Sequence, residues 1–203
     1  MIYNRIVKRL LDIVLSVVLL IVLSPIFVVI VVVLYVFQGN PVIFGQVRLG
    51  WKGKKFKIYK FRTMKVDAEE LKSQFTEQEK EEYEQNLKLK HDKRVTVVGR
   101  ILRRTSLDEL PQLWNILKGD MSFTGPRPIV EVELEKYAGQ KEKFLSLKPG
   151  LIGYWQAYCK PSTTYSERVE MELYYIENES FWFDIRIFFK SIATVIRKAI
   201  VAI

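Results

Sequence analysis

Two adjacent carboxylates follow two adjacent guanidinium groups in Arg103-Arg104-Thr105-Ser106-Leu107-Asp108-Glu109. A carboxylate in that company can act as a nucleophile or hold a divalent cation, and the arginines offer bidentate contacts to phosphate. Ser106 and Glu109 have the spacing of a capping box, which predicts a helix over residues 106–117 with Pro111 in its first turns. The free N–H groups of such a helix start hold anions and would keep Asp108 ionised near neutrality. Taken alone, an Asp-Glu pair in a first helical turn is more often dipole chemistry than a site.

A second candidate is Arg127, held between Pro126 and Pro128 in the turn-rich segment Gly119-Asp120-Met121-Ser122-Phe123-Thr124-Gly125-Pro126-Arg127-Pro128. Flanking prolines fix the backbone and preorganise the guanidinium for phosphate, although an ordinary loop with a solvent-facing arginine has the same spacing. A third is the run Lys55-Phe56-Lys57-Ile58-Tyr59-Lys60-Phe61-Arg62. Its alternation predicts a strand with one face on a core and one facing anions, so Lys60 and Arg62 are candidate phosphate contacts. Lys148-Pro149-Gly150-Leu151-Ile152-Gly153-Tyr154-Trp155-Gln156 reads as a turn followed by core packing.

The elements that must carry these residues start in a membrane. Residues 13–37 contain no charged side chain, and Ser24-Pro25 interrupts them near the middle. The length suffices to cross hydrocarbon, but proline removes a backbone donor, and the Ser24 hydroxyl can satisfy a freed group. Arg5, Lys8 and Arg9 precede the run, and Arg48, Lys52, Lys54, Lys55, Lys57, Lys60 and Arg62 follow it. Basic flanks mark the cytoplasmic side. A proline-kinked span and a helix-break-helix hairpin that returns to the same face both fit; basic residues on both flanks favour the hairpin. The run exceeds a signal-peptide core and lacks a small-residue cleavage site, so it is expected to stay on the protein.

The 203 residues leave room for one further domain of ordinary size. A net charge of +9 suits anionic lipid, phosphate-bearing substrates or nucleic acid, and the membrane segment favours lipid. The single cysteine, Cys159, excludes an internal disulfide, and the single histidine, His91, sits in a charged, solvated stretch without a His/Cys cluster for zinc. Residues 67–90 are dense in Glu, Lys and Gln with sparse apolar positions (Leu71, Phe75, Tyr83, Leu87), which predicts a mobile or peripheral excursion of exposed helices. Residues 181–203 alternate Phe181, Trp182, Ile185, Phe188, Phe189, Ile192, Val195 and Ile196 with Arg186, Lys190, Arg197 and Lys198. That pattern predicts an amphipathic helix, at the membrane interface or packed on the domain.

Jointly, Lys60-Phe61-Arg62-Thr63-Met64, Thr105-Ser106-Leu107-Asp108-Glu109-Leu110-Pro111-Gln112-Leu113, Gly119-Asp120-Met121-Ser122, Gly125-Pro126-Arg127-Pro128 and Lys148-Pro149-Gly150-Leu151, in this order behind a broken membrane helix, closely resemble the bacterial sugar transferase family, the monotopic phosphoglycosyl transferases. The similarity covers nearly the whole chain. It implies transfer of a sugar 1-phosphate from a UDP-sugar to a polyprenyl phosphate such as undecaprenyl phosphate, with release of UMP. The product is the first lipid-linked unit of a capsule, exopolysaccharide or glycoprotein glycan. It implies Asp108 as nucleophile through a covalent intermediate, Glu109 as its dyad partner, and Mg2+ held at Asp108 and Glu109. Lys60, Arg62, Arg103, Arg104 and Arg127 fall at basic positions expected to contact phosphate or nucleotide, and Ser24 and Pro25 at the break that turns the helix back.

The expected architecture is therefore helix-rich α/β: a re-entrant membrane hairpin over residues 1–40, and a cytoplasmic catalytic domain over residues 41–203 with interfacial amphipathic helices. Short strands are predicted at residues 42–44 and 55–61, without a standard nucleotide-binding sheet, since no Walker-type or dinucleotide glycine fingerprint occurs. The resemblance places the protein at the inner face of the bacterial cytoplasmic membrane, with downstream glycosyltransferases and a second copy of the chain as further partners. The length corresponds to the catalytic core of larger relatives that carry additional membrane helices. Ala157-Tyr158-Cys159-Lys160-Pro161-Ser162-Thr163-Thr164 departs from a Gly-Arg-Asn-like stretch of many relatives, where sugar recognition is expected. A nucleic-acid-binding role lacks a reader motif, and a non-catalytic scaffold needs no Asp-Glu pair.

Overall fold

The computed structural model describes residues 5–86, 89–160 and 162–200. Its first two helices, α1 (Arg5–Val22) and α2 (Ser24–Gln38), are the two halves of the apolar run, bent by 61° at the Ser24-Pro25 step. Pro25 lies in the first turn of α2, where its missing N–H costs least. Ser24 Oγ donates to the Ile21 carbonyl at 2.8 Å, satisfying a group near the bend. The expected break is present. Among the described residues no single helix is long and apolar enough to cross a membrane, while the bent pair meets that test by length and composition.

The pair is built into the domain rather than hung from it. Leu19, Leu20 and Phe27 pack against a core of Phe56, Ile58, Leu113, Ile116, Met121 and Phe123, and Ile30 and Leu34 join Phe61 and Leu102 in a second core. Polar ties add to the packing. Asp12 accepts from Ser122 Oγ at 3.1 Å and from the Phe123 N–H at 3.0 Å; Lys8 pairs with Glu179 and Asp184, each at 2.8 Å. Arg9 donates to the carbonyls of Ile116 and Leu117.

Strands β1 (Ile43–Leu49) and β2 (Lys55–Phe61) form an antiparallel hairpin around a 3-10 turn at Trp51–Gly53. β2 has the bounds that its alternation predicts; β1 is longer than expected because its register runs from Ile43 opposite Phe61 to Leu49 opposite Lys55. Phe56 and Ile58 are buried and Lys55 and Lys57 exposed. Pleating puts even-numbered positions on one side, so Lys60 shares the inward side of Phe56 and Ile58. The exposed lysine row and the inward lysine thus belong to opposite faces of one strand.

Residues 67–86 form the peripheral part of the expected excursion, with a 3-10 turn at Glu70–Gln74 and α3 (Glu77–Asn86); Leu87 lies outside the described residues. Arg94 ties this segment down, bonding Asp92 at 2.7 Å and lying 4.9 Å over the Phe75 ring. His91 is exposed, as its surroundings predict.

Helix α4 (Val97–Thr105) is capped by Thr96, whose hydroxyl accepts from the Gly99 N–H at 2.9 Å. The continuous helix predicted over residues 106–117 does not form, and neither does its capping box. Ser106 instead terminates α4 in the left-handed region, with φ 57°, and makes no side-chain cap. Leu107–Glu109 is a single 3-10 turn, and α5 begins at Gln112 and ends at Lys118. The cause is local. A left-handed residue reverses the chain at 106, and Pro111 has no N–H with which to continue a ladder from Leu107.

Strands β3 (Ser122–Thr124) and β4 (Gly150–Ile152) pair in parallel as the second small sheet. They bring the Gly125-Pro126-Arg127-Pro128 turn against Lys148-Pro149-Gly150-Leu151. A Cβ at Gly150 would stand 2.1 Å from the Gly125 nitrogen, and one at Gly125 would stand 2.4 Å from the Lys148 carbonyl, so only glycines permit this approach. Two segments that read as separate turns are one packed unit.

A 3-10 stretch at Glu131–Tyr137, then α6 (Lys141–Phe144), α7 (Tyr154–Tyr158), α8 (Tyr165–Glu177) and α9 (Phe181–Ile200), complete a helix-rich α/β fold. Thr164 and Glu167 form a capping box at the start of α8. The packing expected of α9 is present, with Asp184, Ile187 and Ser191 facing the domain and buried, while Trp182, Phe189, Ile192 and Ile196 remain exposed.

Candidate active site

The 3-10 turn that replaces the predicted helix start carries Asp108 and Glu109. Lys60, from the inward side of β2, reaches it and bonds Glu109 at 2.6 Å. The strand and the turn are kept in register by Asn115, fully buried in α5. Its Oδ1 accepts from the Tyr59 N–H at 3.0 Å and its Nδ2 donates to the Lys57 carbonyl at 2.8 Å, so it pairs with the edge of β2 as a neighbouring strand would. Asn115 therefore fixes where Lys60 meets the carboxylates.

Asp108 and Glu109 differ in electrostatics although they are neighbours. Burial pushes the Asp108 carboxyl above its ordinary range; the charges of Lys60 and Arg103 oppose this, and that of Glu109 adds to it. The helix-start effect that would have kept it low is absent along with the helix. For Glu109 burial acts upward as well, but Lys60, and less strongly Arg127, hold it below the ordinary range. Asp108 is 7% exposed and has no ion pair to another side chain among the described residues. One carboxylate is engaged and the other is left available.

Arg127 joins them. A cleft of about 270 Å³, part of it open to solvent, is lined by Lys60, Glu109, Gln112, Arg127, Arg48 and Gln156 among others. The Arg127 backbone N–H is gripped by both oxygens of Glu172 at 3.1 and 3.2 Å, and its guanidinium stands 5.7 Å from the centre of the Trp155 ring. Behind this lies a buried charge cluster. Glu133 bonds Arg48 at 3.3 Å, Arg168 at 3.4 Å and Tyr165 at 3.0 Å. Glu172 is fully buried, and burial pushes its carboxyl up to about 7 against the opposing charges of Arg168 and Arg127.

Of the basic residues expected to contact phosphate, Lys60 and Arg127 reach the cleft. Arg103 bonds Thr63 Oγ1 at 2.8 Å through Nε and acts electrostatically on Asp108. Arg104 lies on the exposed side of α4. Arg62 is not brought to the carboxylates: it is buried and donates to the carbonyls of Gln38 and Gly39, capping the C-terminal end of α2. Pairing across β1 and β2 places it beside that helix end, which strand alternation cannot reveal. Ser24 and Pro25 form the bend described above. Arg48, Gln112, Asn115, Gln156 and Glu172 were not singled out from sequence. Gln112, Asn115 and Glu172 share the full burial of a polar side chain, which only the fold exposes, while Arg48 and Gln156 are partly buried at the rim of the cleft.

The donor chemistry suits a magnesium ion at Asp108 and Glu109. Magnesium is usually held by one or two carboxylates together with substrate phosphates. Among the described residues no group of three or more His, Cys, Asp or Glu side chains that could hold a metal ion occurs.

Comparison with known proteins adds the following. Residues 3–198 match the family described as Bacterial sugar transferase. The chain is 45% identical over 163 residues to the undecaprenyl-phosphate galactose phosphotransferase of Salmonella typhimurium, covering 79% of this chain and 34% of that protein. It is 39% identical over 198 residues to the UDP-glucose:undecaprenyl-phosphate glucose-1-phosphate transferase of Escherichia coli, covering 93% and 40%. Against the exopolysaccharide production protein ExoY of Rhizobium meliloti it is 44% identical over 160 residues, covering 77% and 71%. The chain thus spans about a third of the length of the Salmonella relative.

Proposed function

The chain belongs to the bacterial sugar transferase family, and from that premise we propose that it moves a sugar 1-phosphate from a UDP-sugar to polyprenyl phosphate, such as undecaprenyl phosphate, releasing UMP. The observation that carries this reading is the buried Asp108 carboxylate, without an ion pair among the described residues, beside a neighbour, Glu109, that is held by Lys60 and shares a cleft with Arg127.

In the first step an Asp108 oxygen attacks the phosphorus that bears the sugar. A P–O bond to Asp108 forms, the bond to the bridging oxygen breaks, and UMP leaves with that oxygen and its electron pair. In the second step a phosphate oxygen of the polyprenyl acceptor attacks the same phosphorus. The bond to Asp108 breaks, the carboxylate is restored, and the sugar diphospholipid forms. Phosphoryl transfer depends chiefly on positioning and charge neutralisation. Lys60 and Arg127 supply fixed positive charge, the charge of Arg103 acts on Asp108, and Glu172 sets the position of Arg127. Burial removes competing water from Asp108, leaving a carboxylate less stabilised before attack than in solvent. Asp108 and Glu109 would hold magnesium, which would supply charge neutralisation for the transferring group.

Membrane placement belongs to the same proposal. α1 and α2 enter and leave by the cytoplasmic face, supported by the 61° bend, the exposed apolar sides of both helices and the basic flanks. An impermeant thiol reagent added outside intact cells should leave a cysteine at position 6 unlabelled in a Cys159→Ser background. Labelling there would make the pair a span.

The chemical test omits the acceptor. Enzyme, magnesium and the correct UDP-sugar should release UMP up to one equivalent, and the intact mass should rise by one sugar phosphate. UMP that appears only when polyprenyl phosphate is present, with no adduct, would replace this path by direct transfer.

A further inference from the structure

A second cavity, of about 1020 Å³ with part of that space open to solvent, lies at the N-terminal end of α1, between the Trp51 turn and residues 146–148. It shares no lining residue with the cleft that contains Glu109. Arg5, Lys8, Arg9 and Lys148 line it, against Asp12 and Glu179. Most of these charges are committed. Lys8 is paired with Glu179, Arg9 is spent on the carbonyls of Ile116 and Leu117, and Asp12 on Ser122 and Phe123. Two cations remain without an acceptor among the described residues. Arg5 touches only the Trp51 face, 5.6 Å from its centre, and Lys148 is half-buried. Burial, and after it the like charge of Arg9, depresses the Lys148 ammonium below its ordinary range, so this position gains from an anion.

The apolar part of the cavity has a direction. Ile6 and Leu10 line it, and the same row of α1, four residues apart, continues through Val14, Val18 and Val22. All five are exposed. A cationic pocket therefore opens onto an uncovered apolar ridge that runs toward the Ser24-Pro25 bend. We propose that this cavity holds the phosphate headgroup of an anionic membrane phospholipid between Arg5 and Lys148, with Trp51 at the boundary and an acyl chain laid along the ridge. A free phosphate would leave the ridge uncovered. The polyprenyl acceptor is the wrong occupant, because its phosphate has to reach the Asp108-Glu109 turn, and this pocket shares no lining residue with the cleft beside Glu109. The lipid site rests on the membrane placement of α1 and α2 given above, and vesicle flotation tests that placement separately.

The experiment uses the full chain in detergent, with native mass spectrometry to count bound phosphatidylglycerol, phosphatidylcholine, polyprenyl phosphate and inorganic phosphate. The wild-type chain should retain one phosphatidylglycerol. Arg5→Gln with Lys148→Gln should weaken that binding roughly thirtyfold, as expected for two basic contacts to an anionic lipid, and leave polyprenyl phosphate binding unchanged. Lys148→Arg, which keeps the charge, should bind as wild type does, and unchanged circular dichroism would show that the double variant folds. Phosphatidylglycerol binding indifferent to the double substitution, displacement by inorganic phosphate at equal concentration, equal retention of phosphatidylcholine, or polyprenyl phosphate lost with the double variant would each overturn the proposal. Failure of the wild-type chain to float with vesicles would overturn the membrane placement instead.

Discussion

The carboxylates of the Asp108 turn and those of the Glu133–Glu172 cluster are both withdrawn from water, yet they are treated in opposite ways. In the cluster the oxygens are occupied: Glu133 by Arg48, Arg168 and Tyr165, and Glu172 by the Arg127 backbone. In the turn only Glu109 is occupied, by Lys60, and Asp108 has no ion-paired side chain among the described residues. A buried carboxylate whose partners are complete holds structure; one left incomplete keeps its lone pairs for a ligand or an electrophile. The Gly125-Pro126-Arg127-Pro128 turn connects the two, since its arginine faces the cleft while its amide is held by the cluster.

The sharpest way to break this contrast is to exchange the consequences. Asp108→Asn should lower UMP release by on the order of 10³-fold or more without lowering the melting temperature, because it removes a carboxylate that burial already disfavours. A large loss of stability would place Asp108 with the structural carboxylates. Glu133→Gln should do the reverse: it strands Arg48 and Arg168 and should cost about 3–5 kcal/mol in denaturant unfolding, as breaking a buried pair does.

Glu172 sharpens the contrast by titration. Its carboxyl is raised from 4.5 to about 7 in the folded chain, so the folded state binds the extra proton between those values. The stability it contributes is fully present below pH 4.5 and is lost as pH rises through about 7. Thermal melts should therefore fall across that window, by up to about 3 kcal/mol from this group, and Glu172→Gln should flatten the profile. A profile rising over the same range would show Glu172 ionised and stabilising. The smallest effect is expected where the two regions share only a scaffold. Asn115→Ala removes two buried bonds to β2 and should cost about 2 kcal/mol, with a moderate fall in turnover as Lys60 loses its register with Glu109. Turnover unchanged at full folding would free Lys60 from that dependence.

How much of this was legible beforehand follows from the range of each interaction. The Ser24-Pro25 break, the bounds of β2, the acidic pair and Arg127 rest on neighbours in the chain, and periodicity or turn chemistry exposes them. The turn at residues 106–111 misled because Ser106 and Glu109 fit a capping box as well as they fit the end of α4, and Pro111 decides between the two only once α4 has been terminated. Arg62 looked like one more cation of a basic strand, although its partners lie at Gln38 and Gly39. Glu172 and Asn115 could not be read at all. The first meets Arg127 across 45 positions and the second meets Tyr59 across 56, and no local pattern marks them.

The ties that fasten α1 have a consequence in time. Asp12 waits for Ser122, 110 positions later; Arg9 waits for the carbonyls of Ile116 and Leu117; and Lys8 waits for Glu179, 171 positions later. Synthesis at about 5–20 residues per second makes that interval several seconds or more, during which the nascent segment carries uncompensated charge on its first turns. Charge is costly in hydrocarbon, so the proposed membrane placement would keep those turns at the headgroup level until the residues that receive them are made. α1 is thus made long before the residues that lock it in place, and under the proposed membrane placement that delay disfavours threading of the segment through the bilayer.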